Sequence, residues 1–327
     1  MKNNFTPINK IPLEVFSLIP GYWESDNEDE GLITMTHVCR GWREVLIARS
    51  SLWTRLFCTN TDKTQVYIKR SKASPLELSL YRSEVVTYLE DAFLLVVLHI
   101  GRLRSLNVSR DVDLLQNLMQ HLSCPIPLLR ELVIDTLCDP APVLEDSLFN
   151  GDLSSLRSLT LYGVTTHLPW KNLSNLTTFE LSFTPEGEPS ITQLLDFFEG
   201  AHRLRDITFH HSIPSSSNAP PERVLSLPSL KNLTIDAYPD HSGILLDHLT
   251  IPVGASLILE FMFRGDMYPL LHQQVVESPI SPYSTCDRTA SPTGAYNALY
   301  VVICGRAHHC NQIHTHTTSS HKPYNPI

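Results

Sequence analysis

No stretch of this 327-residue chain approaches the ~20 consecutive apolar residues that a membrane-crossing helix needs. The longest candidate, AFLLVVLHI from Ala92 to Ile100, reads instead as a buried helix or strand. The first residues, MKNNFTPINKIP, lack the apolar core of a secretion signal, which gives the expectation of an intracellular protein, cytoplasmic or nuclear. The phosphate-cradling patterns GxxxxGK[ST] and GxGxxG are missing, as are GxSxG and HExxH, so the chemistry tied to those motifs has no carrier here. CxxC spacing is also missing among the cysteines at 39, 58, 124, 138, 286, 304 and 310, and reduced, mostly buried thiols are expected. Basic residues are outnumbered, 25 Lys and Arg against 34 Asp and Glu, and the formal charge of −9 argues against a large nucleic-acid footprint.

Histidine, a common metal ligand, is plentiful at 15 residues. RAHHCNQIHTHTTSSH holds His308, His309, Cys310, His314, His316 and His321, but no second cysteine pair or surrounding pattern frames them as a zinc site. The pair His210-His211 follows a strand pattern and reads as a loop edge. Neither a catalytic residue, nor a cofactor, nor a metal is expected; the protein reads as a non-enzyme.

Three regions are present. In residues 8–57, INKIPLEVFSLI puts Pro12 where a first helical turn tolerates it, with Val15, Phe16 and Ile19 on one stripe. The acidic run between Glu24 and Glu30 reads as a solvated loop. Leu32, Met35, Val38, Cys39, Trp42, Val45 and Leu46 then recur at helical spacing as one broad apolar face, and SSLWTRL reads as a further short helix or turn.

Over residues 75–263 the period changes. PLELSL, from Pro75 to Leu80, alternates as an opening strand. LxxLxL-like units start at 103, 129, 156, 176, 204, 230 and 246, at intervals of 26, 27, 20, 28, 26 and 16 residues. Most of these fall in the leucine-rich-repeat range. The two outer residues of each LxL share a face, and stacked units cover one another's apolar sides. Helical segments are expected at Ser83–Leu98, at Asp113–Leu122, and at SITQLLDFFEGA, which opens with the capping-box pair Ser190 and Gln193 and ends near Gly200. Residues 264–327 lack sustained periodicity and are expected to be weakly ordered, with one apolar island at Tyr296–Cys304 that could pack as a strand. The fold class is therefore α/β: N-terminal helices, an irregular solenoid of parallel strands with helices, and a tail.

Ile11-Pro12-x-Glu14-Val15-Phe16, Val38-Cys39-Arg40-x-Trp42 and Ser51-Leu52-Trp53 together resemble an F-box. With the junction IKRSKASPLELSL and the degenerate repeats, the chain is similar to expanded F-box-like families of mushroom-forming fungi over about residues 8–263. Ile11 replaces the usual leucine, and PGYWESDNEDEG is longer than the loop of short F-boxes. The resemblance implies a substrate receptor of a cullin-RING (SCF-type) ubiquitin ligase. Its F-box would bind a Skp-type adaptor, and cullin through it, while the repeats hold a protein substrate. The implied adaptor-facing residues are Pro12, Leu13, Val15, Phe16, Ile19, Val38, Cys39, Trp42, Leu52 and Trp53. Two alternatives stand beside this. The tryptophans could simply be core, and the helices could be an N-terminal cap on a leucine-rich-repeat scaffold unconnected to ubiquitin.

Overall fold

The computed structural model describes residues 11–16, 18–19, 28–58, 60–81, 89–109, 121–136, 141–144, 148–166, 173–183, 189–214, 216, 218–220, 222–263 and 297–304. The chain divides into two compact units, Met1–Val133 and Ile134–Ile327. Both are α/β with predominantly parallel strands. No helix among the described residues is long and apolar enough to cross a membrane.

The first unit begins with the helices α1 (Leu13–Phe16), α2 (Glu28–Val38) and α3 (Arg40–Ala48) and a 3-10 turn at Ser50–Trp53. Strand β1 (Arg55–Leu56), α4 (Thr61–Ser71), β2 (Leu76–Tyr81), α5 (Leu89–Val97) and β3 (Leu103–Ser109) follow. Strands β1, β2 and β3 pair in that order, all parallel. The continuous helical stripe expected from Leu32 to Leu46 is in fact two helices. Cys39 breaks it with extended backbone (φ −157°, ψ 167°) and caps α3, its Sγ accepting from the Trp42 N–H at 3.5 Å. The acidic run also ends differently from a loop, because α2 starts at Glu28. Carboxylates in a first turn are favoured by the exposed N–H groups there.

Interior bonds hold α4 to its neighbours. The Arg102 guanidinium donates to Ser71 Oγ (2.7 Å) and the Ser74 carbonyl (2.7 Å). Cys58 is sealed beside α4, and burial pushes its thiol up to about 12, so it stays protonated and inert. Of the other described cysteines, Cys39 is exposed and Cys124 half-buried; all three are free thiols.

Strand β4 (Glu131–Asp135) contains the division between the units. The second unit continues with β5 (Val143–Leu144), β6 (Ser158–Tyr162), β7 (Thr165–Thr166), β8 (Thr178–Ser182), α6 (Ile191–Gly200) and β9 (Asp206–His210). It is completed by β10 (Leu225–Ser226), β11 (Asn232–Ala237), α7 (Pro239–Leu246), β12 (Leu249–Thr250), β13 (Ser256–Phe263) and β14 (Asn297–Cys304). The ladder β6-β8-β9-β11-β13 is parallel, and β14 closes it antiparallel to β13. The apolar island thus has a partner strand. The small pairs β5–β7 and β10–β12 lie apart from this ladder.

Alternation decides the faces. Leu159, Leu161, Phe179, Leu181, Ile207, Phe209, Leu233 and Ile235 are buried, and the residues between them are half-buried except for Ser182, which is buried. Helix α6 caps that interior with Ile191, Leu194, Leu195, Phe197 and Phe198. The Phe179 ring lies 4.6 Å from Phe197 and 6.0 Å from Phe209, contacts each worth about 0.5–1.5 kcal/mol beyond area burial. The Ser190–Gln193 capping box forms as the sequence predicts, with Gly200 the last helical residue.

The seventh expected unit falls differently from the spacing. Leu249 starts the short β12, and the ladder position is taken by β13, whose Leu257 and Leu259 point inward. Register explains the misreading: Asn232 pairs with Ser256, so the place equivalent to Leu230 falls on Gly254 and the leading leucine is lost. Segment Asp113–Leu122 lies outside the described residues but for its last two, as do residues 83–88 of the first expected helix and most of the tail.

At the carboxyl ends of the strands a corner recurs. Thr136, Gly163, Phe183 and His211 each donate a backbone N–H to a carbonyl at or next to the end of the following ladder strand, respectively Tyr162, Ser182, His210 and Asp236, at 2.8–3.0 Å. Gly163 (φ 66°), Phe183 (φ 48°) and His211 (φ 50°) take the left-handed conformation there. A Cβ at Gly163 would overlap the Thr136 carbonyl, which fixes glycine at that corner.

Candidate functional site

The first unit's opening helices carry the residues singled out by sequence. One helical turn forms at α1, where the Phe16 N–H donates to the Pro12 carbonyl (2.9 Å) and the Leu18 N–H to the Val15 carbonyl (3.0 Å). A turn this short cannot be stable alone, so its order comes from packing. Phe16 supplies that packing: it is buried and its ring sits 4.4 Å from Trp42, tilted by 45°. Most of the other described apolar side chains of this segment face out. Pro12 is exposed, as are Val15 (51%), Leu18 and Ile19. The side chain of Leu13 lies outside the described set.

Trp42 is held from below and left half-open. Cys39 caps the helix that bears it, and Phe16 covers one side of its ring. The break at Cys39 has a further consequence. Val38, the last residue of α2, turns to solvent at 58% exposure instead of continuing the apolar stripe. The arginines of this stretch are structural or solvated. Arg43 Nε donates to the Thr36 carbonyl (2.8 Å) and so clamps the α2–α3 corner, while Arg40 pairs with Glu44 on the open face of α3 (2.7 Å).

Trp53 departs from the partner-facing set. It is 0% exposed. Its indole N–H donates to the Leu46 carbonyl at 2.9 Å, its ring meets Tyr67 edge-on at 5.0 Å, and the Arg70 guanidinium lies 4.3 Å from the ring centre. Trp53 therefore organises the interior between α3 and α4. Phe16 likewise works from inside. The physical reason is common to both: each has a local aromatic or cationic neighbour that removes its ring from water more completely than a partner surface needs to. Leu52 is half-buried beside Trp53. The structure thus brings Phe16 and Trp42 together. It leaves Pro12, Val15, Ile19, Val38 and Cys39 outward, and sets Trp53 in the core.

Sequence reasoning missed Leu18, which is exposed next to Ile19 and stands at i, i+3 from Val15. It also missed Tyr67 and Arg70, whose i, i+3 spacing on α4 was the signal available. Among the described residues no group of three or more His, Cys, Asp or Glu is placed to hold a metal ion, and the histidine-rich tail lies outside them. Comparison with family models, curated proteins and solved structures finds no match to this chain.

Proposed function

We propose that the chain is the substrate-recruiting receptor of an SCF-type ubiquitin ligase, an F-box followed by degenerate leucine-rich repeats. The observation that carries this reading is the concentration of outward apolar side chains on the opening helices. Val15, Leu18, Ile19 and Val38 are exposed, next to a half-open Trp42 that Phe16 supports from within. Single exposed aliphatics are ordinary on a protein surface. Several on neighbouring turns, backed by an aromatic pair, are what a helical docking surface requires. Such a receptor acts by raising the local concentration of its cargo and needs no catalytic side chain. Co-expression of the full chain with a Skp-type adaptor tests it. A stable complex at equal stoichiometry is expected; a folded chain that never retains the adaptor overturns the reading.

The cap reading draws on a different observation. The opening helices are tied to the first strands: the Glu77 N–H donates to the Thr54 carbonyl (2.9 Å), β1 pairs with β2, and Ser74 Oγ donates to Ser50 Oγ (2.8 Å). Adaptor titration into the folded full chain discriminates, because removal of residues 1–60 would take Trp53 and β1 out of the core under either reading. A docking module retains the adaptor, whereas a cap alone does not.

A further inference from the structure

In the second unit, a short turn precedes each of the neighbouring parallel strands β6, β8, β9 and β11, pinned by a buried leucine: Leu156, Leu176, Leu204 and Leu230. The residue after that leucine is Arg157, Thr177, Arg205 and Lys231 in turn. Backbone bonds join these four positions side by side. The Thr177 N–H donates to the Arg157 carbonyl (2.9 Å), the Arg205 N–H to the Thr177 carbonyl (2.8 Å) and the Lys231 N–H to the Arg205 carbonyl (2.7 Å). Thr177 interrupts the run of cations, and a neighbour fills the gap: Arg203 Nη1 donates to Asn175 Oδ1 in the turn before β8 (2.8 Å). Four consecutive ladder positions at this amino edge therefore each hold a guanidinium or an ammonium. With strands about 4.8 Å apart, the row spans about 14 Å.

Arg157, Arg203, Arg205 and Lys231 are exposed, and none of them makes an ion pair among the described residues. Other arginines of the chain are paired: Arg40 with Glu44, Arg55 with Glu77, and Arg223 with Asp196 and Glu199. Two carboxylates lie close to the row in sequence, and both are engaged elsewhere. Asp152, in the turn before β6, accepts from the Ser154 N–H of its own loop (3.1 Å). Asp206, the first residue of β9, accepts from the Asn232 side-chain amide. His202 is the remaining titratable group of these turns. Like charges on neighbouring strands repel, so the row raises the energy of the free chain, and an anion laid along it relieves that repulsion. The backbone ladder fixes the cations' spacing before any partner arrives, which lowers the cost of binding one.

We propose that this amino edge docks an extended acidic segment of a partner protein, a run of Asp and Glu side chains laid across β6, β8, β9 and β11. An extended chain advances about 3.3 Å per residue, so about five residues cover the row. Three of the four cations are arginines, whose planar fork meets a carboxylate through two parallel N–H bonds. A nucleic acid fits less well: the chain's formal charge is −9, and no exposed Phe, Tyr or Trp stands in these turns to stack a base. That the acidic segment belongs to a cargo of the ligase rests on the receptor reading above; the charge row does not.

The test uses the full chain and a fluorescein-labelled hexaglutamate peptide. Anisotropy is read in about 50 mM salt with the chain raised to about 1 mM, the range open to a few exposed ion pairs. Saturable binding is expected, weakening about tenfold in about 0.3 M salt, and the matching hexaglutamine peptide should give no saturable response. R205E and K231E should each weaken binding about tenfold at an unchanged urea midpoint, because neither side chain has an ion pair to lose. K69E, on the exposed side of α4 in the first unit, changes the net charge equally and should leave affinity within about twofold. An absent saturable response, unchanged affinity in R205E and K231E, or an equal loss in K69E overturns the proposal. A labelled hexauridylate that binds more tightly than hexaglutamate, and is lost in R205E and K231E, overturns it in favour of a nucleic acid. Adaptor retention measured on the same preparations reads the receptor proposal separately, so either can fail alone.

Discussion

Replacing Trp53 by phenylalanine removes one hydrogen bond and part of one ring from the best-sealed point of the first unit. The indole N–H to Leu46 carbonyl bond, 2.9 Å and buried, is lost. That carbonyl also accepts the Arg49 N–H at 3.3 Å, so it is not wholly orphaned, and the cost falls at the low end of the buried hydrogen-bond range, about 1 kcal/mol. The smaller ring leaves a void against Tyr67 and weakens the Arg70 contact, adding about 1–2 kcal/mol. Trp53→Phe should therefore destabilise the first unit by about 2–3 kcal/mol, and Trp53→Ala, which forfeits the whole side chain, by about 4–5 kcal/mol. The exposed Val15→Ala and Val38→Ala should each stay within about 0.5 kcal/mol of the parent. Urea unfolding followed by far-ultraviolet circular dichroism reads all four. A Trp53→Phe midpoint equal to the parent would refute the assignment of this tryptophan to the core and return it to the docking surface.

Gly163→Ala should destabilise the second unit by at least about 1–2 kcal/mol, because both the left-handed backbone and the overlap with the Thr136 carbonyl oppose it; thermal melting checks this. Asp236 raises the pKa of His210 chiefly through their hydrogen bond, so that stabilisation is full below the unfolded value of about 6.5 and is lost as pH rises through the higher folded value. Glu260, raised by burial, acts with the same sign at lower pH: stability falls as pH climbs from its ordinary value through its folded one. Urea midpoints measured from mildly acidic to alkaline pH should decline, with H210Q flattening the upper part of the curve. Because His210 is partly solvated, the histidine contribution should stay below about 1 kcal/mol.

The core of the parallel strand ladder was legible because alternation carries it. Within a strand, Leu159 and Leu161 can share a buried face only if Thr160 turns away, and the rule holds strand after strand until the leading leucine disappears at Gly254. The Ser190–Gln193 cap was legible for the same reason: its chemistry is local. What sequence spacing could not show was which apolar side chain finds a partner inside the chain. Trp53 meets Tyr67 and Arg70 from a helix beyond the motif, so its burial depends on tertiary packing. The break at Cys39 was hidden because a cysteine is a weak cap, yet that single extended residue is what sends Val38 outward. At the strand-end corners only Gly163 gave a conformational signal. Phe183 and His211 adopt the same left-handed backbone with side chains that do not announce it.

The central claim, that the outward aliphatics of the opening helices dock a Skp-type adaptor, is tested most directly by calorimetric titration of that adaptor into the full chain and into V15E and V38E. Each charged replacement should weaken binding at least about tenfold, the loss of an apolar contact plus a buried unpaired charge, at an unchanged urea midpoint. Equal affinity for all three chains, or no heat of binding to the folded parent, contradicts it.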